Sequence, residues 1–221
     1  ADGKKLGTLP RILPTLPRDL LIFAGHRWEV IAVDAVRHVL EVKPSKAGAA
    51  PDFGGSLAPL HDGVRQRMRA VYLASGVPAF CDDVAARLLA DARAEFSRLR
   101  LRDTALVEEG ADTLLFHWMG DRAAATLRLM LTRHDLRGID EGICLRVVGT
   151  DRGRLAQVLS RIGHETPPLA TDLASAVPLK RSEKYDGYLG EELLSFEYAH
   201  RTLDVQGALS IARFAASGRL D

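Results

Sequence analysis

The chain has 221 residues, with 30 Lys plus Arg against 29 Asp plus Glu, a formal net charge of +1, 47% hydrophobic and 27% charged residues. That length suits one large domain or two small ones, and the composition supports a packed core, which excludes wholesale disorder and a protein that is basic all over. No apolar run approaches the ~20 residues of a membrane-spanning helix, nothing marks secretion, and the two cysteines, Cys81 and Cys144, are too few for a disulfide framework or a cysteine zinc site. The expectation is therefore a reduced, cytoplasmic setting with no membrane partner.

Residues 1–18 hold three prolines and little periodicity and read as an extended lead-in; Ala1-Asp2-Gly3, with no initiator Met, reads as the middle of a longer protein. Residues 19–44 are the clearest β region. A short apolar run at 20–24, a turn at Gly25-His26, an alternating run through Trp28, Val30 and Ala32, and a third run over 36–42 predict a meander in a small barrel or sheet, with Trp28 buried in it. Pro44 to Gly55 reads as a loop.

From about 57 the period changes. Val64, Met68, Val71 and Tyr72 predict a helix ended near Gly76-Val77-Pro78. Asp82 or Asp83 caps the next, where Val84, Leu88, Ala92, Phe96 and Leu99 fall on one face. Residues 104–107 and 113–118 predict a hairpin, 121–134 a helix with Leu127, Met130, Leu131 and His134 inward, and 143–148 a strand. Thr150 or Asp151 caps the helix that buries Leu155, Val158, Leu159 and Ile162. Thr166 before Pro167 predicts a helix start running to about 177. Two further helices, about 189–202 and 205–216, are separated by Asp204 as a cap. The fold class is α+β: a β-rich, barrel-like unit over 1–56, then a mixed, helix-rich unit over 57–221.

Motifs for chemistry are sparse. There is no G-x-x-x-x-G-K-[S/T] phosphate loop, no G-x-G-x-x-G after a strand, no H-E-x-x-H among the seven histidines and no G-x-S-x-G elbow. The pair Asp140-Glu141 reads as a turn. Cys81 reads as a structural thiol ahead of Asp82. No catalytic residue and no metal site is expected.

Arginine carries what signal remains: only six of the 30 cations are lysine. A high-GC genome, which also favours alanine, explains that bias more readily than phosphate chemistry, for which the planar guanidinium is suited. Arg65, Arg67 and Arg69 alternate on a helix and read mostly as solvated surface. Arg98, Arg100 and Arg102 alternate at a helix exit and point one way if that exit is extended. Phe116-His117-Trp118-Met119-Gly120-Asp121-Arg122 joins an aromatic strand end, a turn and an arginine inside a helix start. Such a set suits stacking of bases on Trp118 and phosphate contact by Arg122; equally, Trp118 packs under the helix as core.

The motifs Phe23-Ala24-Gly25-His26-Arg27-Trp28-Glu29-Val30, Val33-Asp34, Val42-Lys43-Pro44, Gly48 and Pro51-Asp52-Phe53-Gly54-Gly55 resemble the β-barrel module after the winged helix in large helicase-related (Lhr) proteins. These are superfamily 2 ATP-dependent DNA helicases of the DEAD/DEAH-box type. Downstream, Asp83 with 85–93 and Phe96, then His117-Trp118-Met119-Gly120 with Thr126-Leu127, and finally Glu192-Leu193-Leu194, Tyr198-Ala199 and Leu203-Asp204-Val205, resemble the C-terminal region of a bacterial branch of that family. The resemblance implies that the ATPase lobes, with their ATP and magnesium, precede residue 1 in the parent protein, an ATP hydrolase, and that this piece holds no cofactor. It implies as partners single-stranded DNA, or RNA, and the protein's own helicase core. Lhr proteins tend to show Pro-Phe-Trp-x-Gly where this chain has 51–55, and Phe53 would take the place of the base-stacking Trp. The expected nucleic-acid-binding residues are thus Phe53, Arg98, Arg100, Trp118 and Arg122. The alternative is an interaction module that recruits partners without touching nucleic acid.

Overall fold

A computed structural model describes residues 5–8, 20–34, 37–45, 59–178, 180, 181, 183 and 185–217. The chain divides into two compact units, Ala1–Leu57 and Ala58–Asp221, and the class is α+β.

The first unit is an antiparallel meander of β1 (Leu20–Phe23), β2 (His26–Asp34) and β3 (Val39–Pro44) in that order. Among the described residues it is an open three-stranded sheet and not a closed barrel. Ala24 and Gly25 both adopt positive φ at the first turn. The register of β2 against β3 shifts between Val30 and Ala32, and this bulge ends the alternation that the sequence suggests. Val30 is buried, yet Ile31, Ala32 and Val33 are all exposed beyond it. Trp28 is half-buried, not sealed in a barrel, and its Nε1–H donates to the Phe23 carbonyl at 3.1 Å. Trp28→Ala should therefore cost about half of the ~3–5 kcal/mol of a core tryptophan. Denaturant unfolding followed by a probe in this unit checks that figure.

The second unit is built on a four-stranded antiparallel sheet in the order β4-β5-β7-β6, from β4 (Leu106–Glu109), β5 (Asp112–Phe116), β6 (Gly138–Asp140) and β7 (Cys144–Val147). Helices are α1 (Asp62–Leu73), α2 (Asp83–Arg98), α3 (Asp121–Thr132), α4 (Arg152–His164), α5 (Ala170–Ser175), α6 (Glu191–Thr202) and α7 (Val205–Ser217). The period-2 pleat sorts the strand residues to two faces. Leu115 opposite Leu145, and Thr113 opposite Val147, face a core closed by Leu127 and Leu131 of α3, Leu155 and Leu159 of α4 and Ile211 of α7. Leu114 and Phe116 face the other way, where Phe116 and Cys144 join Trp118 and Phe96 of α2, with Tyr72 of α1 packed against them. The sheet is thus covered on both faces.

Local signals set most helix starts. Asp82 accepts from Ala85 N at 2.8 Å, Asp151 from Arg154 N at 2.9 Å and Asp204 from Gly207 N at 2.9 Å, each satisfying a donor that a helix N-terminus leaves free. Three expectations change. The Thr166-Pro167 start is displaced: α5 begins only at Ala170, after Leu169 as a cap with no side-chain bond, because residues preceding the consecutive prolines 167 and 168 are pushed out of the helical region. Ile139-Asp140 belongs to strand β6, paired with β7, and the turn follows it. The stripe on α2 is buried only at its C-terminal end: Phe96 is buried while Val84 and Leu88 are 55% and 64% exposed.

Candidate nucleic-acid interface

The segment 116–122 carries the expected stacking residue, and its backbone decides where that residue goes. β5 ends at Phe116, and Trp118 takes a left-handed conformation, φ +52°. That turn drives the indole inward. Trp118 is 3% exposed, with ring centroids 5.9 Å from Phe96, 6.0 Å from Tyr72 and 6.2 Å from Phe116. Its burial under α1 and α2 removes it as a platform for bases; the core reading of this residue holds. Its Nε1–H has no hydrogen-bond partner.

Gly120 and Asp121 then lock α1 to α3. Leu60 N donates to Asp121 Oδ2 at 2.8 Å, Asp121 N to Leu60 O at 3.0 Å, and Gly120 N to Asp62 Oδ1 at 2.6 Å. Arg65, itself buried, completes the clasp at 3.5 Å from Asp121 Oδ1. A Cβ on Gly120 would stand 2.4 Å from Leu60 O and 2.8 Å from Asp62 N, so the close approach of two backbones requires glycine here.

Arg122 has an exposed surface, but its guanidinium is committed. Nη2 donates to His200 O at 2.9 Å and Leu203 O at 2.8 Å, placing a cation on the carbonyls that end α6, where the helix dipole favours it. Arg98 is paired with Glu95, Nε to Oε2 at 2.8 Å, and both are exposed, so the pair contributes little to stability. Phe53 lies outside the described residues.

Arg100 is different. Leu101 N bonds back to Phe96 O and Arg100 N to Ser97 O, both at 3.0 Å, with Arg100 at φ +56°. This is a Schellman close of α2 with arginine where glycine is usual, and Leu101 and Phe96 supply its apolar contact. The exit from α2 is a tight turn, not extended chain, so Arg98, Arg100 and Arg102 do not form the one-sided row that their alternation suggests. The turn instead brings Arg102 to α1. Arg69 donates from Nη2 to Arg102 O at 3.4 Å, and its Nε–H is buried without a partner. Burial first, and then the charge of Arg102, lower the Arg69 pKa from its ordinary value. Among the described residues no carboxylate forms an ion pair with Arg69, Arg100 or Arg102. Two like charges are thus held near each other beside a buried Nε–H that has no partner. The alternation of Arg65, Arg67 and Arg69 reads as solvated surface, and only tertiary packing pairs Arg69 with Arg102.

His117 and Cys144 sit near this layer, under the sheet. His117 is 2% exposed, and its Nδ1 accepts from Met119 N at 3.2 Å, which puts the proton of the neutral ring on Nε2. That atom has no partner. Burial above all lowers the His117 pKa, the Arg65 charge adds to it, and Asp140 partly offsets it. Folding thus holds this histidine neutral. Its contribution is present above the unfolded value near 6.5 and is lost as pH falls through it, because the unfolded chain then binds a proton that the folded one refuses. Tm should fall more steeply below pH ~6.5 in the parent than in His117→Gln, as read by calorimetry across that range; parallel curves would show that His117 does not titrate this way. Burial, followed by the charge of Glu141, pushes the Cys144 thiol up to about 11, so it is an inert core group.

Among the described residues, no group of three or more His, Cys, Asp or Glu is placed to hold a metal ion, and no helix is long and apolar enough to cross a membrane. The sequence holds no phosphate loop of the G-x-x-x-x-G-K-[S/T] type. Comparison with protein-family models, with curated proteins and with solved structures finds no match.

Proposed function

We propose that this chain is the C-terminal, nucleic-acid-binding accessory region of an Lhr-like ATP-dependent DNA helicase of the cytoplasm, acting on single-stranded DNA beside its own helicase core and lacking the ATPase lobes itself. The motifs of 23–55, 83–96, 117–127 and 192–205 support the family. The observation that carries the binding role is the arginine pair formed where α2 turns back onto α1: Arg69 and Arg102, with Arg100 in the turn that precedes Arg102, and none of the three in an ion pair among the described residues. In this reading the arginines track phosphate and Arg98 exchanges Glu95 for it, while stacking by Phe53 rests on the family resemblance alone. Trp118 and Arg122 hold the scaffold.

Anisotropy titration of a labelled single-stranded oligonucleotide at low salt tests the assignment. Arg69→Ala and Arg102→Ala should each weaken binding several-fold, about equally for all base sequences. Arg133→Ala, at the far end of α3, should leave it unchanged. Equal effects at all three positions would mean diffuse electrostatics and no site.

One observation favours the second reading, a partner-docking module. α1 and α2 enclose an open groove of about 710 Å3, lined almost wholly by apolar side chains. Groove and arginine cluster are separate features, and they support separate activities.

A further inference from the structure

The α1–α2 groove is lined by Val64, Met68, Val71, Leu88 and Leu89, and its only charge is Arg67. Val64 and Leu88 leave 47% and 64% of their surface in water. Arg67 has no hydrogen bond or ion pair among the described residues. Two helices with such a channel between them accept the apolar ridge of a third helix.

The same unit carries a ridge of that form. α6 turns Leu194 and Ala199 into its own core, and on its outer side Leu193 and Phe196 are 59% and 62% exposed, one helical turn apart. Tyr188, just before the helix, is 88% exposed. Glu192 flanks Phe196 at i, i+4 and, like Arg67, has no partner among the described residues. An aromatic–aliphatic pair left in water on a helix that does not need it for packing marks a contact surface.

We propose that the α6 ridge of one copy seats in the α1–α2 groove of a second copy, with Leu193 and Phe196 against Val64 and Leu88 and Glu192 facing Arg67. Each surface lacks what the other has: the groove carries an unpaired cation in an apolar channel, the ridge an unpaired carboxylate beside apolar knobs. Because groove and ridge are different patches, the contact is head-to-tail. A dimer formed in this way leaves one groove and one ridge free, on different copies, so the assembly closes into a ring or keeps extending. This inference goes beyond the nucleic-acid reading and rests on none of its residues.

Sedimentation velocity over a wide range of concentration tests it. The parent chain should grow in mass with concentration. Leu88→Glu loses the groove and Phe196→Glu loses the ridge, and each alone should remain monomeric; both positions are exposed, so circular dichroism melts should match the parent. Mixed in equal amounts, the two variants should form a dimer and nothing larger, because the intact ridge of Leu88→Glu meets the intact groove of Phe196→Glu. Arg67→Glu should weaken association, and adding Glu192→Arg to it should restore it. A parent that stays monomeric throughout, or variants that fail to complement, would overturn the proposal; so would a single variant that still self-associates.

Discussion

Replacing Gly120 with alanine should lower stability by roughly 3–5 kcal/mol, the sum of forcing a methyl into packed backbone and losing a charge-assisted hydrogen bond. The added Cβ meets the carbonyl of Leu60 at 2.4 Å and cannot be absorbed by a rotamer change, since its two nearest neighbours are main-chain atoms. To admit it, the 60–62 segment must withdraw from α3. That breaks the reciprocal bonds between Leu60 and Asp121 and the bond from Gly120 N to Asp62. Arg65 would keep its buried charge and lose its partner, which is the more damaging half of breaking a buried pair. Two measurements separate this from a general weakening: chemical denaturation for the size of the loss, and limited proteolysis under native conditions, where cleavage near 59–62 should rise first. A variant that melts with the parent and resists cleavage there would remove the clasp from the account.

Trp118→Ala should cost ~3–5 kcal/mol, as for a large aromatic truncated inside a core. Its ring touches three others, from α1, α2 and β5, so the cavity opens where the outer helix pair meets the sheet, and edge-to-face contacts are lost along with buried area. Trp118→Phe should lose much less. A stacking platform behaves the other way round: its removal costs ~1–3 kcal/mol of binding per base and leaves stability almost untouched. Unfolding and oligonucleotide titration on one pair of variants therefore decide between the two roles. The fold requires the loss to appear in the first measurement and not in the second.

What the residues revealed before the structure follows from how local each signal is. Asp82, Asp151 and Asp204 announced their helices because a cap is written within three residues. The hairpin of β4 and β5 and the inward faces of α3 and α4 were legible from periodicity. Strand β6 was not: three residues are too few to alternate, and only pairing with β7 makes 138–140 a strand. The bulge after Val30 similarly depends on the partner strand, and it turned an alternating run into a half-exposed sheet. At the candidate site one backbone conformation separates the two readings of Trp118. The Phe116–Arg122 motif was seen correctly as a strand end, a turn and a helix start, yet the hand of the turn at Trp118 decides whether the indole meets solvent or core, and no neighbouring residue encodes that. Arg69 and Arg102 lie 33 positions apart, and their proximity exists only because α2 closes on Arg100 in a left-handed turn.

The dependence of oligonucleotide affinity on salt tests the central proposal most directly, because phosphate neutralisation sets the slope of log K against log salt at about −0.7 per contact on a single strand. The full chain and the triple variant Arg69→Ala, Arg100→Ala, Arg102→Ala are to be titrated with one single-stranded oligonucleotide across a salt series. The account predicts binding that weakens steeply with salt in the parent and a slope shallower by about two in the variant, with both proteins melting alike. A parent that does not bind at low salt, or a variant with the parent's slope, would contradict the nucleic-acid interface drawn here.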